Sequence, residues 1–411
     1  MTMKDTRAVR LVALVCGAQV FVQIGAFFWP ALLPGMMDVW GLTNSEAGWI
    51  TAIFYAAYMV SVPILVTLTD RISAKLVYLG GVACTIAGHL LFGLIADGFW
   101  TAMLMRALTG IGWAGTYMTG LKLLADEVDP KLMSRAAAGH AASIGISGAL
   151  SFACAGLLAA AGGWRMAFIA ASFSAAIAWL IVMLFVPRPQ APPPPVDGGG
   201  ALFDFRPVFR NRSAMAYALA YCIHTLEMNA LRGWSVAFLA FVAVNSGTTD
   251  VWLSPIAVAT AIGLIGTAAS VIGNEVAIRA GRRRLIGLAM TASIVLAVLL
   301  GLLGPSSYTV AVVLLLLYGL VIWLDSSSLT AGAAGTADPS RRGATLAVHS
   351  MLGYMGGFVG PLAIGLTLDL AGGMSNAAWT AAFSLVAFLV LLSFAAFWFM
   401  RPRELAGDRA T

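Results

Sequence analysis

The sequence predicts an all-α integral membrane protein, with twelve transmembrane helices arranged as two six-helix bundles. Three observations carry that expectation. The 411 residues are 60% hydrophobic and only 10% charged, with a mean hydropathy of +0.90, whereas a water-soluble chain carries about 25% charged residues. Apolar runs of bilayer-crossing length, about 20 residues each, recur along the chain, six on either side of a polar, Pro/Gly-rich break. The basic residues gather in alternate gaps between those runs.

The spans fall near 9–29, 48–69, 75–96, 100–124, 136–160 and 166–186, then near 213–242, 253–278, 285–303, 308–331, 344–368 and 377–400. The first follows Lys4, Arg7 and Arg10 in the manner of a signal peptide. Its length, and the lack of a small-x-small cleavage site after it, predict an uncleaved helix instead. The break reads Pro187-Arg-Pro-Gln-Ala-Pro-Pro-Pro-Pro-Val-Asp-Gly-Gly-Gly200. Tetraproline favours extended polyproline II and triple glycine is flexible. Residues 187–212 are therefore expected to be a cytoplasmic linker between an N-terminal half, 1–186, and a C-terminal half, 213–411. Within it, Phe203-Asp-Phe-Arg-Pro-Val-Phe-Arg210 is expected to lie at the membrane interface, rings down and arginines among headgroups.

With both termini on one side, every basic cluster shares that side: Lys4/Arg7/Arg10, Arg71/Lys75, Lys131/Arg135, Arg188/Arg206/Arg210/Arg212, Arg279/Arg282/Arg283/Arg284, Arg341/Arg342 and Arg401/Arg403/Arg409. Of the 24 basic residues, only Arg106, Lys122, Arg165 and Arg232 lie elsewhere. The opposite loops hold Asp38, Glu46, Asp97, Asp250 and Asp369. The positive-inside rule then puts both termini in the cytoplasm of a multi-pass protein in a plasma membrane, of bacterial inner-membrane type. The same distribution makes the net charge of +6 a matter of topology, so the lipid bilayer is a partner and nucleic acid is not. Cys16, Cys84, Cys154 and Cys222 all lie inside apolar runs, where neither a disulfide nor a zinc site is expected.

No catalytic constellation emerges. Gly110-Ile-Gly-Trp-Ala-Gly115 has the spacing of a dinucleotide-binding loop but sits within an apolar span, not after a strand. Gly145-Ile-Ser-Gly148 is followed by Ala149 and makes no nucleophile elbow. H-E-x-x-H, C-x-x-C and P-loop patterns are missing. The chain is not expected to be an enzyme, to use ATP, or to hold a metal or other cofactor.

A weak internal repeat does emerge. Asp70-Arg-Ile-Ser-Ala-Lys75 follows the second span, and Ile278-Arg-Ala-Gly-Arg-Arg283 follows the eighth, pairing Arg71 with Arg279 and Lys75 with Arg283. Repeated halves of this kind mark secondary transporter folds, in which substrate sits between the repeats. At these residues the chain resembles the major facilitator superfamily. That family's loop between helices two and three reads G-x-x-x-D-R-x-G-R-K/R. Here Val66-Thr-Leu-Thr-Asp-Arg-Ile-Ser-Ala-Lys75 keeps Asp70, Arg71 and Lys75 and departs at Val66, Ser73 and Ala74. Arg106-Ala-Leu-Thr-Gly-Ile-Gly112 resembles the family's R-x-x-x-G-x-G of helix four, and Gly163-Trp-Arg-Met-Ala-Phe168 its G-W-R-x-x-F of helix six.

The resemblance implies a cavity lined by spans 1, 4, 7 and 10, and a cytoplasmic latch at Asp70 and Arg71 that releases as the halves rock. The spans named carry the buried polar residues. Gln19 and Gln23 share one face of the first; Arg106, Thr109, Trp113 and Tyr117 form a stripe on the fourth. His224, Glu227 and Arg232 lie in the seventh, and Tyr318 and Asp325 share a face of the tenth. Spans 6, 9 and 12 hold no ionisable residue. A charge at the centre of a bilayer helix costs roughly 2.5–3.5 kcal/mol on insertion scales, so these residues call for a function.

Substrate binding is assigned to Arg106, Trp113, Tyr117, Gln19, Gln23 and Arg232, the arginine fork suiting a carboxylate or other oxyanion. Proton coupling is assigned to Glu227, Asp325 and His224, because burial penalises the charged form of a carboxyl. Glu227 and Arg232 point about 140° apart around their helix and should not pair. His89, His140 and His349 read as packing.

The resulting expectation is a secondary active transporter, a functional monomer, moving a small solute, an organic anion, by alternating access with proton coupling. Symport and antiport fit equally, and the substrate is not specified. The alternatives are a drug/proton antiporter exporting amphipathic compounds, which Trp113, Tyr117, Phe27 and Tyr58 would suit, and a non-transporting membrane sensor. Two family branches fit less well. The helix-two and helix-eight arginines of nitrate carriers are missing, and the antiporter pattern G-x-x-x-G-P-x-x-G-G occurs as Gly356-Gly-Phe-Val-Gly-Pro-Leu-Ala-Ile-Gly365 in the eleventh span instead of the fifth.

Overall fold

A computed structural model of the chain describes residues 3–69, 71–187, 205–248, 251–405 and 408. Among them, nine helices are long and apolar enough to cross a membrane. One of these covers two passes. The helix Pro130–Phe185 is interrupted at Gly162 and at Gly163 (φ 79°, ψ 172°), a left-handed backbone that glycine adopts without a Cβ clash, and this corner separates the fifth and sixth spans. The fourth and seventh spans, Phe99–Glu127 and Arg212–Asn245, are 29 and 34 residues long. They fall short of the same apolarity because they carry the polar residues singled out above. The twelve expected spans are thereby accounted for.

Local chemistry sets several boundaries. Ser73, Asn211, Ser254 and Ser375 each accept a backbone N–H in the first turn of the helix that follows, supplying donors' partners that the helix itself cannot provide. The eighth span, Pro255–Ala280, also starts on proline and stops at Gly281 (φ 97°), the usual asymmetry of helix ends. Residues Arg206–Arg210 of the expected interfacial segment form one short helix; Phe203 and Asp204 lie outside the described residues, as does most of the linker.

Two spans differ from expectation in being broken. The first runs Met3–Gln23 and then Phe28–Trp40, well past residue 29, with a turn between. The tenth runs Tyr308–Trp323 and then Ser326–Thr336, parted at Leu324–Asp325. Hydropathy reads through both breaks because the polar residues there, Gln23 at the first and Asp325 with residues 326–328 at the second, are too few to lower the average over a whole span.

Contacts group the chain into two units: Met1–Leu32 with Ile53–Asp197, and Leu33–Ala52 with Gly198–Thr411. Small residues bring backbones together inside each. In the first unit, a Cβ on Gly81 would lie 2.7 Å from the Gly115 backbone, and one on Gly110 would lie 2.2 Å from the Phe54 carbonyl oxygen. The glycines of R-x-x-x-G-x-G are therefore contact points between helices. In the second unit, the eleventh span Arg342–Leu370 presses on the seventh, where a Cβ on Gly356 would stand 1.9 Å from the Cys222 oxygen and one on Gly360 2.2 Å from the Leu226 oxygen.

The segment Leu33–Ala52 is held in the second unit by Asp369 of the eleventh span. Its carboxylate accepts the backbone N–H of Asn44 (3.1 Å), the Asn44 side-chain amide (2.7 Å) and the backbone N–H of Ser45 (2.7 Å). This caps the start of the second span, Asn44–Leu68, where an anion also complements the helix dipole.

The glycine contacts give a direct test. Gly356→Ala forces a Cβ onto a backbone carbonyl, and a loss of about 3 kcal/mol is expected, the upper end for overpacking. Gly80→Ala, whose Cβ meets nothing within 4 Å, should melt no lower than the parent in detergent thermal-stability assays.

Candidate functional site

Each unit contains a buried polar cluster. In the first, Arg106 of the fourth span is 2% exposed. Its Nη1 donates to the Ala26 carbonyl oxygen at 3.1 Å. That carbonyl lies at the break in the first span, and the residue four positions on is Pro30, which has no N–H to offer it. The guanidinium lies over the Phe54 ring, 4.6 Å from its centroid, a cation–π arrangement. Trp113 sets its edge against Phe54 (5.1 Å) and against Phe27 (6.0 Å), and Phe27 stacks on Phe152.

Gln19 and Gln23 are fully or nearly fully buried. Each uses its oxygen as an acceptor, Gln19 from the Tyr78 hydroxyl and Gln23 from the Ser147 hydroxyl, both at 3.3 Å. The side-chain nitrogens of both glutamines, Nε of Arg106 and Nε1 of Trp113 are left buried without hydrogen bonds. All are donors. Tyr117 stands one turn beyond Trp113, stacked on His140 (5.9 Å), whose Nε2 lies 3.0 Å from the Tyr117 carbonyl oxygen.

In the second unit, Glu227 of the seventh span is 4% exposed and accepts the Tyr318 hydroxyl at 2.6 Å. Asp325 occupies the break in the tenth span. Although placed at the head of Ser326–Thr336, it makes no side-chain capping bond there. Its carboxylate instead lies 3.0 Å from Nδ1 of His224. The sequence places Tyr318, Asp325, His224 and Glu227 on two spans, and the structure brings them together as two adjoining pairs. It adds a third: Tyr221 stacks on His224 (5.6 Å) and on His349 (4.1 Å), and His349 Nε2 lies 3.1 Å from the Thr330 hydroxyl. The spacing of Tyr221 and His224 on one helix face was the sequence signal for this stack; His349 lies on another span and gave none.

Arg232 is partly buried, 5.2 Å above the Trp323 ring and at a long 3.5 Å from Asn229 Oδ1. Of the two expected latch residues, Asp70 lies outside the described residues, and Arg71 is exposed. The third motif residue has a defined partner set: Lys75 is buried and its Nζ donates to the Met183 and Val186 carbonyls at 3.0 and 2.8 Å, closing the end of the sixth span. Arg165 of the Gly163-Trp-Arg motif does the same for the third span, donating to the carbonyls of Gly93, Leu94 and Ala96 while lying 4.5 Å over the Trp164 ring.

This helical architecture, with polar residues concentrated on spans 1, 4, 7 and 10, is that of a membrane carrier fold. A family model described as Major Facilitator Superfamily matches residues 14–331, and the chain belongs to that superfamily as a multi-pass membrane protein. Human protein spinster homolog 1 is 25% identical over 255 residues, 59% of this chain and 48% of that protein; the bovine counterpart matches similarly, at 25% over 248 residues. The chain thus spans about half the length of the curated relatives it matches. Among solved structures, a bacterial homolog of the human lysosomal transporter spinster, inward-facing and unoccupied, superposes with a TM-score of 0.77 at 14% identity, covering 96% of this chain and 97% of that one. A mutant of the nucleoside transporter NupG gives 0.74 at 13% identity, covering 94% and 99%. These likenesses establish the fold.

Tyr318→Phe removes the donor to a buried carboxyl oxygen, and stability should fall by about 1–3 kcal/mol. In a Glu227→Leu background the same change should cost less, and a double-mutant cycle on melting temperature measures the difference.

Proposed function

We propose that the protein is a secondary active transporter that moves a small organic anion by alternating access, coupled to protons. The observation that carries this reading is the composition of the second cluster. Glu227 and Asp325 are buried with a tyrosine hydroxyl and a histidine as their partners. Among the described residues of their own unit, no lysine or arginine stands within ion-pair distance of either. A buried carboxylate without a fixed counter-charge is expensive, and such a group takes up a proton instead. Glu227, Asp325 and His224 are then the proton-handling residues.

The substrate reading rests on the first unit. Arg106 with the unbonded nitrogens of Gln19, Gln23 and Trp113 suits a ligand rich in acceptors, such as a carboxylate. Tyr117 and Arg232 complete the assigned set. Membership of the superfamily and solved structures of similar fold described as transporters support carriage, and Asp70 and Arg71 are the proposed cytoplasmic latch. The carrier works as a monomer in a plasma membrane with both termini cytoplasmic. The aromatic set of Phe27, Phe54 and Trp113 around Arg106 favours, as a second reading, a drug/proton antiporter for amphipathic compounds.

Two measurements test the proposal. A thermal-shift screen of purified protein against organic acids, amino acids, sugars, inorganic anions and lipophilic cations should single out organic acids, with about 2.7 kcal/mol of stabilisation at a hundredfold excess over Kd. Arg106→Ala should lose that shift; stabilisation by lipophilic cations instead would favour the second reading. With a ligand in hand, Glu227→Gln should abolish proton-driven accumulation in proteoliposomes and retain counterflow exchange. Unchanged proton-driven accumulation in that variant would sink proton coupling through Glu227.

A further inference from the structure

The break at Leu324–Asp325 is fastened to the eighth span at three points. Gly273 approaches so closely that a Cβ there would lie 1.9 Å from the Leu324 carbonyl oxygen. The hydroxyls of Ser270 and Ser327 are 2.6 Å apart. Arg282, just beyond the end of the eighth span, donates from Nη1 to Asn274 Oδ1 (3.1 Å) and to the Ser328 carbonyl oxygen (3.2 Å).

Arg282 belongs to a basic cluster that the sequence assigns to the membrane surface, where an arginine has every opportunity to remain in water. Its side chain is only 2% exposed. The rest of its guanidinium is gripped by Asp408, Nε to Oδ2 at 2.9 Å and Nη2 to Oδ1 at 3.0 Å, and the Asp408 side chain is itself 4% exposed. This two-pronged geometry is the strong, directional form of the interaction. The residues leading to Asp408 are tied down as well. Arg403 N–H donates to the Ser213 hydroxyl (3.1 Å), the Tyr217 hydroxyl donates to the Arg403 carbonyl (2.9 Å), and Glu404 accepts the Arg283 N–H (3.1 Å).

We infer that Arg282, held by Asp408, is a positioning residue for Asp325. By fixing the Ser328 carbonyl it fixes the first turn of Ser326–Thr336, and Asp325 is the residue at the head of that turn. The carboxylate is thereby presented to His224 rather than to the N–H groups of its own helix. This rests on the reading of Asp325 as a proton-handling group. The titratable groups toward it are His224 and Glu227 from the seventh span, Tyr318 from the tenth and, through Thr330 and Tyr221, His349 from the eleventh. The eighth span meets the break with Ser270, Gly273 and Asn274, none of which titrates, so Arg282 acts through backbone position and not as a further proton site.

The test uses the full chain, purified, with pH-dependent infrared difference spectra of the carboxyl stretch; the Asp325 band is the one lost in Asp325→Asn. Asp408→Asn removes the charge of the clamp at constant shape. Arg282→Lys keeps a charge but lacks the fork. Both should move the Asp325 titration midpoint by about one pH unit, and Asp408→Glu should restore it at least in part. A lowered melting temperature with an unmoved midpoint makes the clamp purely structural and overturns the inference. If either variant fails to fold, the other carries the test, and Tyr217→Phe, which loosens the tail at Arg403 without touching Arg282, should shift the midpoint in the same direction. Absence of any titrating Asp325 band in the parent protein between about pH 4 and pH 10 overturns the proton-handling assignment of Asp325 itself, a failure separable from that of the clamp.

Discussion

Inside a bilayer no water replaces a hydrogen bond that a broken helix gives up, so every interruption of a span has to be satisfied by the protein. Both polar clusters are organised around that constraint. At the break in the first span, Pro30 deprives the Ala26 carbonyl of its helical partner, and Arg106 reaches across from the fourth span to supply one. At the break in the tenth, Gly273 lets the eighth span close on Leu324, and Arg282 takes the Ser328 carbonyl. In each unit an arginine from another element donates to a backbone carbonyl near the interruption; in the first that arginine is itself the residue of interest, and in the second Asp325 lies beside the clamped turn.

The two clusters are chemically opposite. The first offers unbonded donors: the side-chain nitrogens of Gln19 and Gln23, Nε of Arg106 and Nε1 of Trp113. The second is built on Glu227, Asp325 and His224, two carboxylates and an imidazole, with Tyr318 donating to Glu227 and His224 beside Asp325. The weak repeat between the halves puts Gln19 where the C-terminal half has Glu227, and Tyr117 where it has Asp325. Residues that hold no charge in one half are thus replaced by acids in the other, and the proposed division between gripping a ligand and handling protons would follow that difference.

The spans and the polar clustering were legible in the sequence because hydropathy and charge bias act over twenty residues at a time. The corner at Gly162–Gly163 fell between two predicted spans for the same reason. The breaks were not legible: residues 24–27 and 324–325 sit inside long spans whose average hydropathy stays apolar, and what opens the backbone there is a proline four residues away or a neighbouring helix, neither of which changes that average. Lys75 and Arg165 were recognised as motif residues, but their use as caps on the ends of other helices depends on tertiary proximity. Arg282 was hidden most completely. One of four arginines in a surface cluster, it differs from Arg279, Arg283 and Arg284 only in what surrounds it.

Arg106 decides between a static and a working reading of the first cluster. A buried guanidinium held only for stability is normally matched by a carboxylate, since removing one partner of such a pair leaves an uncompensated charge that costs several kcal/mol. Among the described residues of its own unit, Arg106 has no carboxylate within ion-pair distance. Its neighbours are a carbonyl oxygen and an aromatic face, each of which stabilises a cation without neutralising it, and Nε has no hydrogen-bond partner. The helix break could have been satisfied by a neutral donor such as glutamine, two of which already lie on the first span. The positive charge is thus left without a matching negative group among the described residues of the unit, and the anionic substrate proposed above would supply one.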